Sequence, residues 1–104
     1  MRLEHLNLPA RDPEGLARWY AETFGMQADR HLVRAPGVLL AFQKGEPLGR
    51  AADVHIGFRV TGMAALNDWA ERLGQTPARG AEFVTFRTTD PEGNGIELYC
   101  RPDE

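Results

Sequence analysis

His5, His55 and Glu97 are the residues of this 104-residue chain whose types best suit chemistry. Neutral imidazole nitrogen and carboxylate oxygen are good donors for Fe(II), Mn(II), Ni(II), Co(II) or Zn(II). Three protein donors leave coordination positions open for substrate and water. The three are not within a helical turn of one another, so only the fold can gather them. Strand alternation supplies part of that gathering, because successive side chains point to opposite faces. Leu6 and Leu8 mark the apolar face of a first strand and leave His5 and Asn7 opposite. Val54, Ile56, Phe58 and Val60 do the same for a second, leaving Asp53, His55, Gly57 and Arg59 opposite. Ile96, Leu98 and Cys100 do it for the last strand, leaving Glu97, Tyr99 and Arg101 opposite. Tyr99 can give or take a proton there, and Arg59 can pair with an anionic substrate. The ordinary readings stand beside these: a strand His is often a hydrogen-bonded structural residue, and a strand Glu or Arg is often solvated.

An internal repeat favours ligation for the two histidines. His5-Leu6-Asn7-Leu8 matches His55-Ile56-Gly57-Phe58 at an offset of 55 − 5 = 50, and Leu16 and Trp19 meet Leu66 and Trp69 at the same offset. Gly37 to Phe42 resembles Gly93 to Leu98 at 93 − 37 = 56. Such self-similarity signals repeated structural modules. Each module reads as a strand, a helix and further strands. In the first, Asp12 caps a helix with Pro13 at its first position, Leu16, Trp19, Tyr20 and Phe24 form its stripe, and Gly25 ends it. In the second, Thr61 is the expected cap, Leu66, Trp69, Ala70 and Leu73 the stripe, and Gly74 the stop. Gln27 to Arg34 and Val38 to Gln43 are expected strands around Ala35-Pro36-Gly37. Phe83 to Thr89 and Gly95 to Arg101 are expected to form an antiparallel hairpin around Asp90-Pro91-Glu92-Gly93-Asn94. Lys44 to Asp53 reads as the connection between modules and Gln75 to Glu82 as a loop. Trp19 and Trp69 read as core anchors, His31 as structural or surface, and Cys100 as a buried, inert thiol.

Composition narrows the classes. Twelve Lys and Arg against fifteen Asp and Glu leave a net charge of −3, which argues against a dedicated nucleic-acid binder. One cysteine cannot close an intrachain disulfide. The longest apolar run, Val38 to Phe42, is far short of the roughly 18 residues of a membrane helix. Met1 to His5 lacks the apolar stretch of a signal peptide, and a cytoplasmic location is expected.

The chain resembles the vicinal oxygen chelate superfamily, which includes glyoxalase I, bleomycin-resistance proteins, fosfomycin-resistance transferases and extradiol dioxygenases. The resemblance rests on Arg2 to Leu8, on Trp19-Tyr20 through Phe24-Gly25-Met26, on Val54 to Val60, and most specifically on Asp90-Pro91-Glu92-Gly93-Asn94-Gly95-Ile96-Glu97-Leu98. It implies an α+β fold of two βαβββ modules, with mixed sheets curving around a cavity and helices outside. A single domain over 1–104 is expected, with module one at about 1–44 and module two at about 53–101. By the same resemblance His5, His55 and Glu97 match metal-ligand positions. The resemblance further implies one divalent ion (Fe, Mn, Ni, Co or Zn) as cofactor, a small-molecule substrate as partner and a homodimeric assembly; no nucleic-acid or membrane partner is expected. The modules can close a cavity within one chain or across a swapped pair, with His5 from one copy and His55 and Glu97 from the other.

One departure separates this chain from glyoxalase I. The repeat maps Glu97 onto position 97 − 56 = 41, where a further ligand is expected and where Ala41 stands. A methyl group binds no metal, so the chain looks like a His-His-Glu member, the pattern of the fosfomycin-resistance and extradiol groups. Three functional readings follow. The first is a metal-dependent enzyme, a lyase, isomerase, transferase or dioxygenase, acting on a small oxygen-rich substrate by bidentate chelation. The second is a metal-free binding protein of the bleomycin-resistance type. The third is a non-catalytic regulatory or dimerisation domain.

Overall fold

The computed structural model describes residues 1–49 and 54–104. Asp53 and the end of the expected connection, at 50–53, lie outside the described residues. The chain divides into two compact units, the first comprising the N-terminal half together with Asp90–Gly93 and the second the remainder.

The first unit runs β1 (Leu6–Ala10), α1 (Pro13–Phe24), β2 (Gln27–Asp29), β3 (Leu32–Ala35) and β4 (Val38–Lys44). Its sheet has the order β1-β4-β3-β2, with β1 parallel to β4 and the other pairs antiparallel. Helix α1 starts as its sequence dictates. Asp12 accepts the Gly15 N–H at 3.0 Å, Pro13 occupies the first turn, and Gly25 closes the helix in the left-handed conformation at φ 69°. Leu16, Ala17 and Tyr20 of α1 are buried, as are Leu8, Ala10, Val33, Leu40 and Phe42 of the sheet. Tyr20 stacks on Phe42 with centroids 5.5 Å apart. Trp19 is half-buried and edge-on to Tyr20 at 5.0 Å.

Asp90–Gly93 completes this unit. The fully buried Tyr20 hydroxyl donates to Asp90 Oδ2 at 2.7 Å. Asp90 Oδ1 accepts the Glu92 N–H at 2.9 Å. Glu92 in turn accepts the backbone N–H groups of Arg11 and Asp12 at 2.5 and 2.9 Å, just before α1. Burial, reinforced by the charge and hydrogen bond of Asp90, raises the Tyr20 phenol far above its ordinary range.

The second unit repeats the plan: β5 (His55–Arg59), α2 (Met63–Arg72), β6 (Ala78–Arg79), β7 (Val84–Thr89) and β8 (Gly95–Cys100). Its sheet has the order β5-β8-β7-β6, with β5 parallel to β8 and β7–β8 an antiparallel hairpin. Leu66 and Ala70 of α2 and Ile56, Val84, Phe86, Ile96, Leu98 and Cys100 of the sheet are buried. Cys100 is fully buried with its sulfur 3.6 Å from Met63 Sδ, as expected of an inert thiol. The registers agree with the repeat: Leu6 pairs with Leu40, and Ile56 with Ile96. Ala41 thus occupies in the first sheet the place of Glu97 in the second. The α+β class and the two βαβββ arrangements match the expectation.

Four local expectations are corrected. β1 begins after His5, and its buried residues are Leu8 and Ala10, with Leu6 exposed. Gln27 to Arg34 is two strands, because Arg30 takes a left-handed conformation at φ 57° and reverses the chain, which puts His31 at the turn. Gly62 caps α2 instead of Thr61, in an extended conformation at φ 91° that glycine adopts without a Cβ clash. The segment read as a loop at 75–82 contains β6, an edge strand paired with β7. Among the described residues no helix is long and apolar enough to cross a membrane.

Candidate metal and substrate site

Strand β8 carries its apolar residues Ile96, Leu98 and Cys100 into the core and turns Glu97 and Tyr99 to the helix-free face. Strand β5, parallel beside it, buries Ile56 and turns His55, Gly57 and Arg59 the same way. A cavity of about 710 Å³ lies on this face, lined by His55, Gly57, Phe83, Thr85, Glu97 and Tyr99, and walled further by the Gly80–Glu82 segment.

His55 Nε2 stands 3.3 Å from Glu97 Oε1, with the two side chains 30% and 23% exposed. That is long for a hydrogen bond between nitrogen and oxygen, which favours about 2.9 Å. It also matches the spacing of two donors on one ion, since bonds of about 2.1 Å at an angle of roughly 90–110° put their ends about 3.0–3.4 Å apart. The other carboxylate oxygen is held elsewhere. The Thr85 hydroxyl, on β7, donates to Glu97 Oε2 at 2.7 Å; the Leu98 carbonyl, at 3.2 Å, is its more distant acceptor. Glu97 Oε1 is therefore kept toward His55 and the cavity. Backbone glycine makes room for the pair. Gly95 lies directly across from His55, and a Cβ there would come within 3.2 Å of the His55 Cβ. A Cβ on Gly57 would enter the cavity 3.6 Å from the Tyr99 ring.

The remaining expected site residues fall as follows. Tyr99 is on the cavity wall, its ring edge-on to Phe83 with centroids 5.3 Å apart. Arg59 shares the face but lies beyond the wall, where its guanidinium pairs with Glu104. His5 belongs to the first unit, outside any strand, half-exposed and 3.2 Å from Glu4 Oε1. Among the described residues, no group of three or more His, Cys, Asp or Glu side chains is placed to hold a metal ion. Within the second unit, His55 and Glu97 bring together an imidazole nitrogen and a carboxylate oxygen, donor types that suit a divalent ion. Thr85 and Phe83 were not singled out from the sequence. Their signal was present in alternation, since Val84 and Phe86 are the apolar residues of β7 and leave Phe83 and Thr85 on the opposite face.

Two βαβββ units, with an imidazole and a carboxylate on the helix-free face of one, define a vicinal oxygen chelate protein. The chain belongs to the glyoxalase-like domain family, whose model matches residues 5–99. Solved structures share the fold. The fosfomycin-resistance protein FosX of Listeria monocytogenes is similar with a TM-score of 0.81 at 15% identity, covering 96% of this chain and 93% of that one. A possible glyoxalase from Bacillus cereus is similar with a TM-score of 0.80 at 25% identity, covering 96% and 99%. A lactoylglutathione lyase from Agrobacterium tumefaciens is similar with a TM-score of 0.68 at 18% identity, covering 95% and 92%. A comparison with curated proteins finds no match.

Proposed function

We propose that this protein is a divalent-metal-dependent enzyme acting on a small substrate that presents two adjacent oxygens. The observation that carries the reading is the His55 Nε2–Glu97 Oε1 separation of 3.3 Å on the wall of a cavity of about 710 Å³. His55 and Glu97 are the donors of the second unit, and His5 is the third, supplied within the chain or by a second copy in a homodimer. A bound divalent ion supplies Lewis-acid polarisation of the two substrate oxygens.

The chain's own residues do the rest. Thr85 fixes the rotamer of Glu97, so that one carboxylate oxygen faces the ligand position before substrate arrives. Gly57 leaves the floor of the cavity open between His55 and Arg59. The rings of Tyr99 and Phe83 cover one side and displace water from the substrate body. The Tyr99 hydroxyl is the proton donor or acceptor for a substrate oxygen or carbon in the cavity. Ala41, in the first sheet at the place of Glu97, removes the carboxylate base that glyoxalase I chemistry uses. This favours transferase or dioxygenase chemistry over isomerisation of a hemithioacetal.

Metal content of the purified protein after loading with Mn(II), Fe(II), Ni(II) or Zn(II) tests the reading. About one ion per chain is expected, lost in His55→Ala and Glu97→Ala and weakened in His5→Ala. Absence of binding under every condition would refute it and leave a metal-free small-molecule binder of the bleomycin-resistance type. The similar FosX structure directs the subsequent substrate screen to fosfomycin, and the resemblance to glyoxalase I and the extradiol dioxygenases adds hemithioacetals and catechols.

A further inference from the structure

The helix-free face of β5 and β8 continues past Tyr99, and its far end is cationic. Arg59 pairs in register with Tyr99. Arg101 follows two residues after Tyr99 on the same face, and Phe83 stands across from it, one step beyond the Val84–Cys100 pair. The Arg59 and Arg101 guanidinium carbons lie 5.9 and 5.0 Å from the centroid of the Phe83 ring. Both also reach the same oxygen, Glu104 Oε1: Arg59 through Nη2 in direct contact, and Arg101 through Nε at 3.9 Å. Glu82 adds a second carboxylate contact to Arg101, through Nη2 at 3.7 Å. Two guanidiniums around one ring repel each other, and the Glu104 carboxylate between them offsets that repulsion.

We propose that Arg59 and Arg101 form a subsite for the anionic end of the substrate, and that the Glu104 carboxylate occupies it in the free chain. The inference rests on the reading of His55 and Glu97 as the chelating end. It adds a length and a chemistry. His55 to Arg59, and Glu97 to Arg101, are four residues apart along parallel strands, about 13 Å at roughly 3.3 Å per residue. Between the two ends lie the edge-to-face rings of Tyr99 and Phe83. The substrate class is therefore a small acid with adjacent oxygens at one end, an aromatic or apolar middle, and a carboxylate or phosphate at the other. Planar guanidiniums recognise both groups through paired N–H donors. The ion pairs holding Glu104 involve arginines that are nearly half exposed, and such pairs are weak enough for an incoming anion to displace the carboxylate.

Calorimetric titration of the full chain with 4-phenylbutyrate, phenyl phosphate and neutral 4-phenylbutanamide tests the subsite without needing the chelating end. It is run on chelator-treated and on metal-loaded protein. At least one anion is expected to bind about 10-fold tighter than the amide in both preparations. Whichever of the two binds tighter identifies the head group. The preference should vanish in Arg59→Gln and Arg101→Gln, survive in part in Arg59→Lys, and grow in Glu104→Gln by about 3- to 10-fold. Unchanged circular dichroism spectra establish that the glutamine variants are folded. Equal binding of anions and amide to both wild type and Glu104→Gln would overturn the subsite, as would a preference untouched by either arginine variant. The chelation reading fails separately, by absence of metal binding, and the arginine-dependent preference is expected to persist in His55→Ala.

Discussion

Tyr20→Phe removes one hydroxyl and nothing else. The ring, fully buried and stacked 5.5 Å from Phe42, keeps its shape and its apolar contacts. What is lost is the 2.7 Å hydrogen bond to Asp90 Oδ2, on a carboxylate that is itself buried. Hydrogen bonds to charged groups contribute roughly 1.5–3 kcal/mol. With both partners buried, the expected cost is about 2 kcal/mol, a fall of roughly 8–16 °C in Tm for a domain of this size. Thermal and urea unfolding of wild type and variant measure it, and the urea slope should stay constant. The same residue has a signature at alkaline pH. Its phenol is raised far above its ordinary value by burial first and by Asp90 second. Above pH about 10, the unfolded chain gives up the Tyr20 proton while the folded chain keeps it. Unfolding then releases a proton, so wild-type stability declines as pH rises, by up to about 1.4 kcal/mol per pH unit. Tyr20→Phe should lack that contribution, so the two stability curves converge with increasing pH. A Tm difference under about 2 °C at pH 7, or curves that stay parallel from pH 9 to 11.5, would refute the account of this buried pair.

Two further variants address the cavity. Thr85→Val keeps the shape of the side chain but frees Glu97 Oε2, and it should weaken metal binding about 10- to 100-fold, with Thr85→Ser restoring most of it; equal metal affinity in all three proteins would remove Thr85 as a positioning residue. Gly57→Leu puts a side chain against the Tyr99 ring and the Glu97 carboxylate. It should abolish binding of aromatic ligands in the cavity while Tm falls by no more than a few degrees, and ligand binding at wild-type affinity would show that the ligand lies elsewhere.

The strands and helices were legible wherever one face is buried. β4, β7, β8 and α1 came within about two residues of their observed bounds, because apolar alternation and the Asp12–Pro13 and Gly25 signals are local. The repeat correctly paired Ala41 with Glu97, since the two parallel registers are the same. Legibility failed where local pattern and tertiary structure part. His5 continues the alternation of Leu6 and Leu8, yet β4 pairs only from Leu6 onward and leaves His5 outside the strand. Thr61 is the better capping side chain, but the chain turns at Gly62, where positive φ decides the helix start. Arg59 has the chemistry of an anion partner, as read from sequence. Its own partner, Glu104, lies 45 residues away, and no periodicity announces such a pairing.

The most specific stretch of the sequence, Asp90 to Leu98, combines two roles that alternation and turn chemistry keep apart. Its beginning is structural. Asp90 takes the Tyr20 hydroxyl, and Glu92 takes the two backbone N–H groups that precede α1. Each carboxylate oxygen there accepts a donor, and these bonds hold the turn in one place. Its end is chemical. Once the chain leaves the turn at Gly95, which must lack a side chain to lie against His55, every second residue is core and every other faces the cavity. Ile96 and Leu98 fix the depth of the strand, and Glu97 between them cannot turn inward without burying a carboxylate in apolar surroundings, a cost of several kcal/mol. The first sheet has the same strand, register and depth, with Ala41 in place of the carboxylate. The duplicated fold therefore carries a carboxylate at this outward-facing position of its second sheet and a methyl group at the matching position of its first, and the chemistry of the site follows from which residue occupies that position.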